Sequence, residues 1–435
     1  MRSFLIRPLA AACLLTLGAA CASAQEDKVE NREPKKPDAR DARPLDTRPW
    51  QVPPSQTPGF VTADYGAFGL ELFRQLADAR PNDNVVISPL SAGLAISMLA
   101  NGAEGETLAG IQRTLATGMD AAALNTTNAA LTEALRGGDV ELAIANSLWA
   151  RQGVPFLPAF MERSRRFYDA EVATLDFATP EAAVRINRWA SDNTRGRITR
   201  MVEDGPLDAD LVLYLMNAVY FKGRWQDEFV ASQTRPMPFH APGGRTVQRP
   251  MMQRTGEYGY LRGEGFQAVR LPYRGGRFAM YVLLPDEASS VAALRGRLTP
   301  DAWAEWMGGF GGAREVRVVM PKYRVNVESG LNRPLQAMGM ADAFNQVRAN
   351  FRAMLPAEYL ARGNVYVSEA KQKVFIEVNE EGTEAAAVTG IEMRTTSAPP
   401  QPVSFVVDRP FLVVVRDDQT GALLFIGQVN DPVTQ

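Results

Sequence analysis

Cysteine is nearly absent from this chain. Of 435 residues only Cys13 and Cys21 are cysteines, and both lie in the first two dozen positions. If that leader is removed, no thiol remains for a disulfide, a thiolate nucleophile or a soft metal site. Histidine is scarcer still, with His240 alone, in Pro238-Phe-His-Ala-Pro242. A Ser-His-Asp triad needs a histidine held by a carboxylate, and His240 stands in a Pro- and Gly-rich stretch that reads as a solvated turn. One histidine without cysteine would leave a zinc site to carboxylates, which is unusual. Neither a Gly-x-Ser-x-Gly elbow nor a Gly-x-x-x-x-Gly-Lys-Ser/Thr phosphate loop occurs. Gly308-Gly-Phe-Gly-Gly312 leads into a strand rather than a helix, so it lacks the helix N-terminus that binds phosphate; it reads as the opening of a flexible hairpin. Net charge is −2, so no basic excess supports nucleic-acid binding. These absences point away from an enzyme and from any cofactor or metal: the expected set of catalytic residues, and of metal ligands, is none.

What is present begins with a leader. Arg2 and Arg7 precede an apolar stretch, Leu9 to Ala20, too short to span a bilayer, and Ala22-Ser23-Ala24 is a small-x-small cleavage site. Residues 1–24 are therefore expected to be a signal peptide, and the protein to be exported, either secreted (extracellular) or periplasmic. Cys21 follows Gly18-Ala19-Ala20, a poor lipoprotein-type site, so cleavage after Ala24 is preferred over a lipid anchor on Cys21. No later stretch has eighteen uncharged apolar residues, so no spanning helix is expected. Residues 25–58 mix charges of both signs with seven prolines from Pro34 to Pro58. With few apolar groups, burial cannot offset ordering entropy, and a disordered, solvated tether is expected. A single large domain follows, over 59–433.

Within it, Tyr65, Phe68, Leu72 and Leu76 have helical spacing. Val85-Val-Ile87 reads as a short strand, and Pro89 opens a helix through Leu90, Leu94, Met98 and Leu99. Leu211 to Phe221 reads as a strand buried on both faces. Phe278–Leu284, Glu315–Val327, Val403–Val407, Phe411–Arg416 and Leu423–Val429 are further strand segments. Helices crowd the first half and strands the second, without regular βαβ repeats, which is an α+β pattern.

The most informative run is Glu380-Glu-Gly-Thr-Glu-Ala-Ala-Ala387 and its sequel to Pro400. It follows a strand-like stretch, Val374 to Val378, and is poor in bulky residues. Loops are usually polar and turn-forming, yet this one alternates. Thr383, Ala385, Ala387, Thr389, Ile391, Met393 and Thr395 fall on one side, small or apolar. Glu384, Ala386, Val388, Gly390, Glu392 and Arg394 fall on the other, with all the charges. That is the period-2 pattern of a strand buried on one face, so the segment is written as one that could leave solvent and join a sheet. Taken alone, it is also compatible with an Ala-rich linker or a short helix.

A series of motifs in order resembles the serpin family, and an exported member of bacterial type. Asn84-Val-Val-Ile-Ser-Pro-Leu-Ser91 and Asn101-Gly-Ala-Glu-Gly-Glu-Thr-Leu108 are similar to its strand-to-helix motif and the segment after it. Asn187 to Ile198, with Trp189, Thr194 and Gly196, looks like the next family helix. Asn217-Ala-Val-Tyr-Phe-Lys-Gly-Arg-Trp225, Pro250-Met-Met252, Met320-Pro-Lys-Tyr323 and Met338 to Phe344 follow in the family's order. Asn379 to Ala387 resembles its hinge, and Asp408-Arg-Pro-Phe411 with Leu424 to Asn430 its C-terminal strands. The resemblance implies an α+β serpin fold of three β-sheets and about nine helices, metastable, with an exposed reactive-centre loop. It implies a suicide-substrate serine protease inhibitor, expected to be a monomer. A protease attacks a bait bond, and the cut loop inserts into the main sheet while the acyl-enzyme is still attached. Loop length counted from Glu380, and separately back from Phe405, places the bait at Thr396–Ser397, with Arg394–Thr395 as the alternative. The small Thr396 favours an elastase- or subtilisin-like target; Arg394 would suit a trypsin-like one.

The hinge set is Glu380, Glu381, Gly382, Thr383, Glu384, Ala385, Ala386 and Ala387. A sheet-opening cluster is expected at Ser88, Ser91, Asn217 and Gln372. The family commonly has histidine where Gln372 stands. Glutamine both donates and accepts hydrogen bonds but cannot protonate near neutral pH, so this position offers either a pH-silent gate or simple packing. A non-inhibitory serpin, serving as chaperone, carrier or store, is the other reading. Such members typically place a charged or bulky residue at Thr383 or in the alanine run, and this chain keeps Thr383 and Ala385 to Ala387.

Overall fold

The helix spaced by Tyr65, Phe68, Leu72 and Leu76 is α1, Thr62–Ala79, and those four residues are buried. The computed structural model describes residues 62–433, apart from 138, 209, 362, 363 and 383–400. After β1 (Val85–Ile87), the Ser88 hydroxyl caps α2 (Pro89–Ala100) by accepting from the Ser91 N–H, and Pro89 takes the first turn, where its missing donor costs nothing. Every residue of α2 is buried. Then come α3 (Gly105–Leu115), α4 (Ala121–Leu135), β2 (Val140–Arg151), α5 (Pro158–Tyr168), β3 (Glu171–Leu175) and α6 (Pro180–Asn193). A run of strands follows: β4 (Leu213–Gly223), β5 (Arg235–Ala241), β6 (Arg245–Gly263), β7 (Phe266–Pro272) and β8 (Phe278–Pro285). Two helices, α7 (Val291–Gly296) and α8 (Pro300–Gly308), lead to β9 (Ala313–Pro321) and β10 (Tyr323–Gly330). Two single-turn helices, α9 (Asn332–Leu335) and α10 (Ala357–Leu360), precede β11 (Val367–Val378), and β12 (Val403–Val406), β13 (Phe411–Asp417) and β14 (Leu423–Val429) close the chain.

Hydrogen bonding divides these strands into two networks. One has the order β10-β11-β4-β2-β3. The other runs β1-β14-β13-β8-β7-β6-β9-β12, with β5 on β6. The long β6 pairs with β5 through its first part, with β9 through its middle and with β7 at its end, so two of the three expected sheets share one strand. The five-stranded sheet is covered on both faces. Along β4, Leu213, Leu215, Val219 and Phe221 enter the main core, while Tyr214, Met216, Ala218 and Tyr220 join a second cluster with Trp149, Ile186, Trp189 and Phe375 beneath α6. That two-sided burial accounts for the unbroken apolar run.

Three local expectations change. Glu315–Val327 is two strands in different sheets, β9 and β10; the chain crosses between them after Pro321, which cannot donate to a continuing ladder. Gly308 to Gly312 closes α8 and leads into β9 rather than opening a hairpin, and Phe310 within it is buried. His240 lies in β5, not in a turn; the turn is Pro242–Gly244 just after it. Its exposed ring meets the Thr246 hydroxyl at 3.3 Å rather than a carboxylate.

Candidate functional site

In the five-stranded sheet β10–β11 and β4–β2 are antiparallel, but the central neighbours β11 and β4 are parallel, paired from Val367 opposite Leu213 to Phe375 opposite Tyr220 with one register shift between Val367 and Glu369. A strand laid between them in the opposite sense would be antiparallel to both. Parallel pairing is slightly the weaker kind per residue, so exchanging this interface for two antiparallel ones is a gain; β2–β3 is parallel too, but it is the β11–β4 pair that the exit of β11 adjoins. The chain leaving the end of β11 needs only to reverse direction to enter it.

That reversal starts at Asn379 to Gly382. Asn379 and Gly382 bridge one another, and Gly382 has φ 123°, a region that favours glycine. A β-carbon there would also stand 2.3 Å from the Gly223 carbonyl oxygen, so the position is closed to side chains by backbone conformation and by space. The turn is fastened to the end of β4. The Trp225 N–H donates to the Glu381 carbonyl (3.0 Å), the Phe229 N–H to the Glu380 carbonyl (2.7 Å) and the Trp225 indole to the Asn379 carbonyl (3.0 Å). The Trp225 ring itself stacks on Tyr273 at 4.7 Å.

Two adjacent carboxylates in this turn meet opposite surroundings. Glu380 is buried and accepts from the Thr234 hydroxyl (2.8 Å) and the Lys322 ammonium (3.0 Å). Burial by itself would raise its pKa, but those two donors and its own backbone N–H outweigh it and hold the carboxyl below the usual range. Glu381 has one carboxylate oxygen buried with no hydrogen-bond partner among the described residues. Burial, then the nearby Glu228, push its carboxyl up.

Lower in the seam, on its core face, lies the polar cluster. The Gln372 side chain accepts from the Ser88 N–H (2.8 Å) and donates to the Ser88 carbonyl (3.0 Å) and to Asn217 Oδ1 (2.7 Å). The Asn217 amide donates to the Ser91 hydroxyl and to Asn146 Oδ1 (2.7 Å). Gln372 and Asn217 are register partners, so this chain of bonds crosses the β11–β4 seam and ties both strands to the start of α2. Ser88, Ser91, Asn146, Asn217 and Gln372 are all at most 1% exposed, which makes every bond here costly to lose.

The structure thus brings Ser88, Ser91, Asn217 and Gln372 together and sets Glu380, Glu381 and Gly382 at the top of the same seam. Thr383, Glu384, Ala385, Ala386, Ala387, Arg394, Thr395, Thr396 and Ser397 lie outside the described residues. Sequence reasoning missed Asn146, Thr234, Lys322 and Trp225. Only Asn146 carried a signal, as an amide in the middle of the strand run Val140–Arg151. No helix among the described residues is long and apolar enough to cross a membrane.

A family model described as "Serpin (serine protease inhibitor)" matches residues 63–432. Serpin B8 from Bos taurus is 33% identical over 372 residues, 84% of this chain and 98% of that protein. Leukocyte elastase inhibitor from Sus scrofa is 33% identical over 378 residues, covering 84% and 97%. Among solved structures, the native state of the thermophilic serpin Tengpin is similar with TM-score 0.78 and 29% identity over 85% of this chain and 94% of that one. Native protease nexin-1 with heparin follows at 0.77 and 28%, covering 86% and 99%. Human thyroxine-binding globulin, at 0.76 and 23% over 86% and 98%, shares the fold alone.

Proposed function

The chain belongs to the serpin family, and from that premise we propose a suicide-substrate inhibitor of serine proteases that works through the β11–β4 seam. It is an inhibitor of serine-type endopeptidases, not an enzyme. The observation that carries the mechanism is the parallel seam with its exit turn: the strand that must be joined and the loop that could join it meet at Gly382.

The chemistry is an interrupted hydrolysis. The protease serine attacks the carbonyl carbon of Thr396, the Thr396–Ser397 peptide bond breaks, and its nitrogen leaves protonated as the new amino terminus of Ser397. Thr396 stays as an ester on the protease. Freed at one end, the loop folds back at Asn379–Gly382 and enters the seam. β11 has 12 residues, and Thr383 to Arg394 supplies an equal number, so Thr396 and its cargo arrive at the opposite end. Insertion adds up to about a dozen ladder hydrogen bonds at roughly 1 kcal/mol each, of order ten kcal/mol, against water's return to hydrolyse the ester. Small side chains at Thr383, Ala385 and Ala387 fit the inward face.

The finer assignments rest on sequence. Thr396 is small and uncharged, and one relative is a leukocyte elastase inhibitor; both support an elastase- or subtilisin-like target over the trypsin-like one that Arg394 would suit. The leader supports export, to the periplasm or the medium; a bacterial-type member and a monomer remain what the motif resemblance implies. Cleavage after Ala24 remains preferred to a lipid anchor at Cys21, with 25–58 as tether and the domain over 59–433.

Incubation with elastase and with trypsin tests this reading. The expected result is a complex that survives SDS with elastase, with release of a peptide beginning at Ser397. A peptide beginning at Thr395 makes Arg394 the bait. Cleavage without a complex supports the carrier or chaperone reading. Thr383→Arg should turn the inhibitor into a substrate, because a cation entering the sheet unpaired costs several kcal/mol; Glu384→Arg, facing outward, should still form the complex.

A further inference from the structure

At the foot of the same sheet, away from the hinge, a cleft of about 690 Å³ opens between the end of α1, α9 and the first residues of β11. That volume is in the range of small-molecule sites, roughly 300–1,000 Å³. Leu76, Pro334 and Ala337 give it apolar walls, and Arg80 and Arg333 stand at its edge. Arg80 is committed, donating to the Glu328 carbonyl (3.3 Å) and the Ser329 hydroxyl (3.0 Å). The Arg333 guanidinium is exposed and has no hydrogen-bond or ion-pair partner among the described residues. The one carboxylate in the lining, Glu369, is already paired with Lys371 at 3.0 Å. The cleft therefore combines apolar walls with an unmatched positive charge.

Its wall is also part of the seam. The β11–β4 register slips between Val367 and Glu369, so Ser368 is the extra residue of a bulge; such bulges are over-represented beside functional sites. Ser368 lines the cleft, and its hydroxyl accepts from the Val212 N–H at 2.9 Å, just beyond the start of β4. Asn332, also in the lining, donates to the Ser368 carbonyl (2.8 Å) and accepts from the Ala370 N–H (2.8 Å). A molecule filling the cleft would brace the residues that must part when the seam opens to its foot.

The geometry points to a binding site for a small organic anion with an apolar tail, its headgroup on Arg333 and its tail against Leu76, Pro334 and Ala337, whose occupancy slows opening of the seam. The binding half stands independently of the inhibitory reading; the effect on rate rests on it.

The test is calorimetric titration of the full chain with sodium decanoate, and with decan-1-ol as the uncharged counterpart. Decanoate is expected to bind the wild type, and Arg333→Ala to weaken it about tenfold, as loss of one charge-assisted hydrogen bond predicts, while decanol binding stays the same. Ala337→Trp, which fills the cleft, should weaken both ligands. Absence of decanoate binding, equal decanoate affinity in wild type and Arg333→Ala, or unchanged binding in Ala337→Trp overturns the site. Arg333 is exposed and has no partner among the described residues, so its variant should fold and remain decisive even if the tryptophan variant does not. Saturating decanoate should also slow formation of the SDS-resistant complex with elastase, and should have no such effect in Arg333→Ala at the same concentration. Binding with an unchanged rate overturns the effect on the seam and leaves the ligand site; a chain that binds decanoate but forms no protease complex overturns the inhibitory reading alone.

Discussion

Of the polar fastenings along one seam, the two nearest the hinge are built from opposite chemistry. Midway along β11, Gln372 and Asn217 join the strands through neutral amides with essentially no solvent access. At the top, Glu380 joins the hinge turn to Thr234 and Lys322 through a carboxylate that is itself buried but whose Lys322 partner is partly solvated. Amides do not titrate, so the middle should be indifferent to pH; the top should not be. Insertion from the hinge downward must undo the ionic fastening first and the amide one second. The seam therefore meets an environment-sensitive latch before a constant one.

The comparison is broken most directly in the middle. Gln372→Leu leaves the Ser88 N–H and Asn217 Oδ1 without their partner in a dry site, while the Ser88 carbonyl keeps the Ala92 N–H. At 1–3 kcal/mol for each buried group left unpaired, offset by relaxation, the loss should be about 3 kcal/mol, read as a lower urea midpoint with unchanged m. A midpoint within experimental error of wild type would mean that the cluster only packs. Gln372→His should introduce pH dependence of stability near neutrality that the wild type lacks; a flat profile in that variant would detach this position from gating.

The latch at the top should yield less. Glu380→Gln keeps the shape and removes the charge, and should cost about 1 kcal/mol, since the Lys322 partner is partly solvated. Its pH signature has a definite sign. A carboxyl whose folded pKa lies below its unfolded value contributes stability above the unfolded pKa and loses it as pH falls through the folded one. Acidification below the ordinary carboxylate range should therefore loosen the wild-type hinge, measured as faster proteolysis between Asn379 and Gln401, and Glu380→Gln should remove that contribution. Equal acid sensitivity in both proteins would assign it elsewhere.

Glu381 gives the smallest and most discriminating effect. Its pKa is raised, so the folded state favours the protonated form, and its contribution is fully present below the unfolded pKa and fades as pH rises through the folded one. Glu381→Gln should be neutral or stabilising at neutral pH, within about 0.5 kcal/mol. A loss as large as that of Glu380→Gln would erase the distinction between the neighbours.

Much of this was legible in the chain itself. Apolar spacing locates α1, Pro89 marks the start of α2, and the two-sided apolar run locates β4 to within two residues at either end, because proline geometry and burial periodicity act over a few neighbours. Gly382 takes the positive φ that its glycine allows, whereas the small-residue alternation from Thr383 onward lies outside the described residues. The division of 315–327 between two sheets was not legible, because both halves have strand character and only pairing separates them.

Local sequence determined the principal helix and strand segments read from it, among them α1, α2, β4 and β14, and which polar residues stand out against apolar surroundings. Tertiary structure alone decided that β11 and β4 are parallel neighbours, that Asn146 completes the cluster, and that the surroundings of Glu380 and Glu381, identical and adjacent, push their carboxyl pKa values in opposite directions. The reason is distance along the chain: Glu380 takes its donors from 146 and 58 residues away, and Gln372 meets Asn217 across 155. Desolvation and pairing depend on groups that only folding brings within reach.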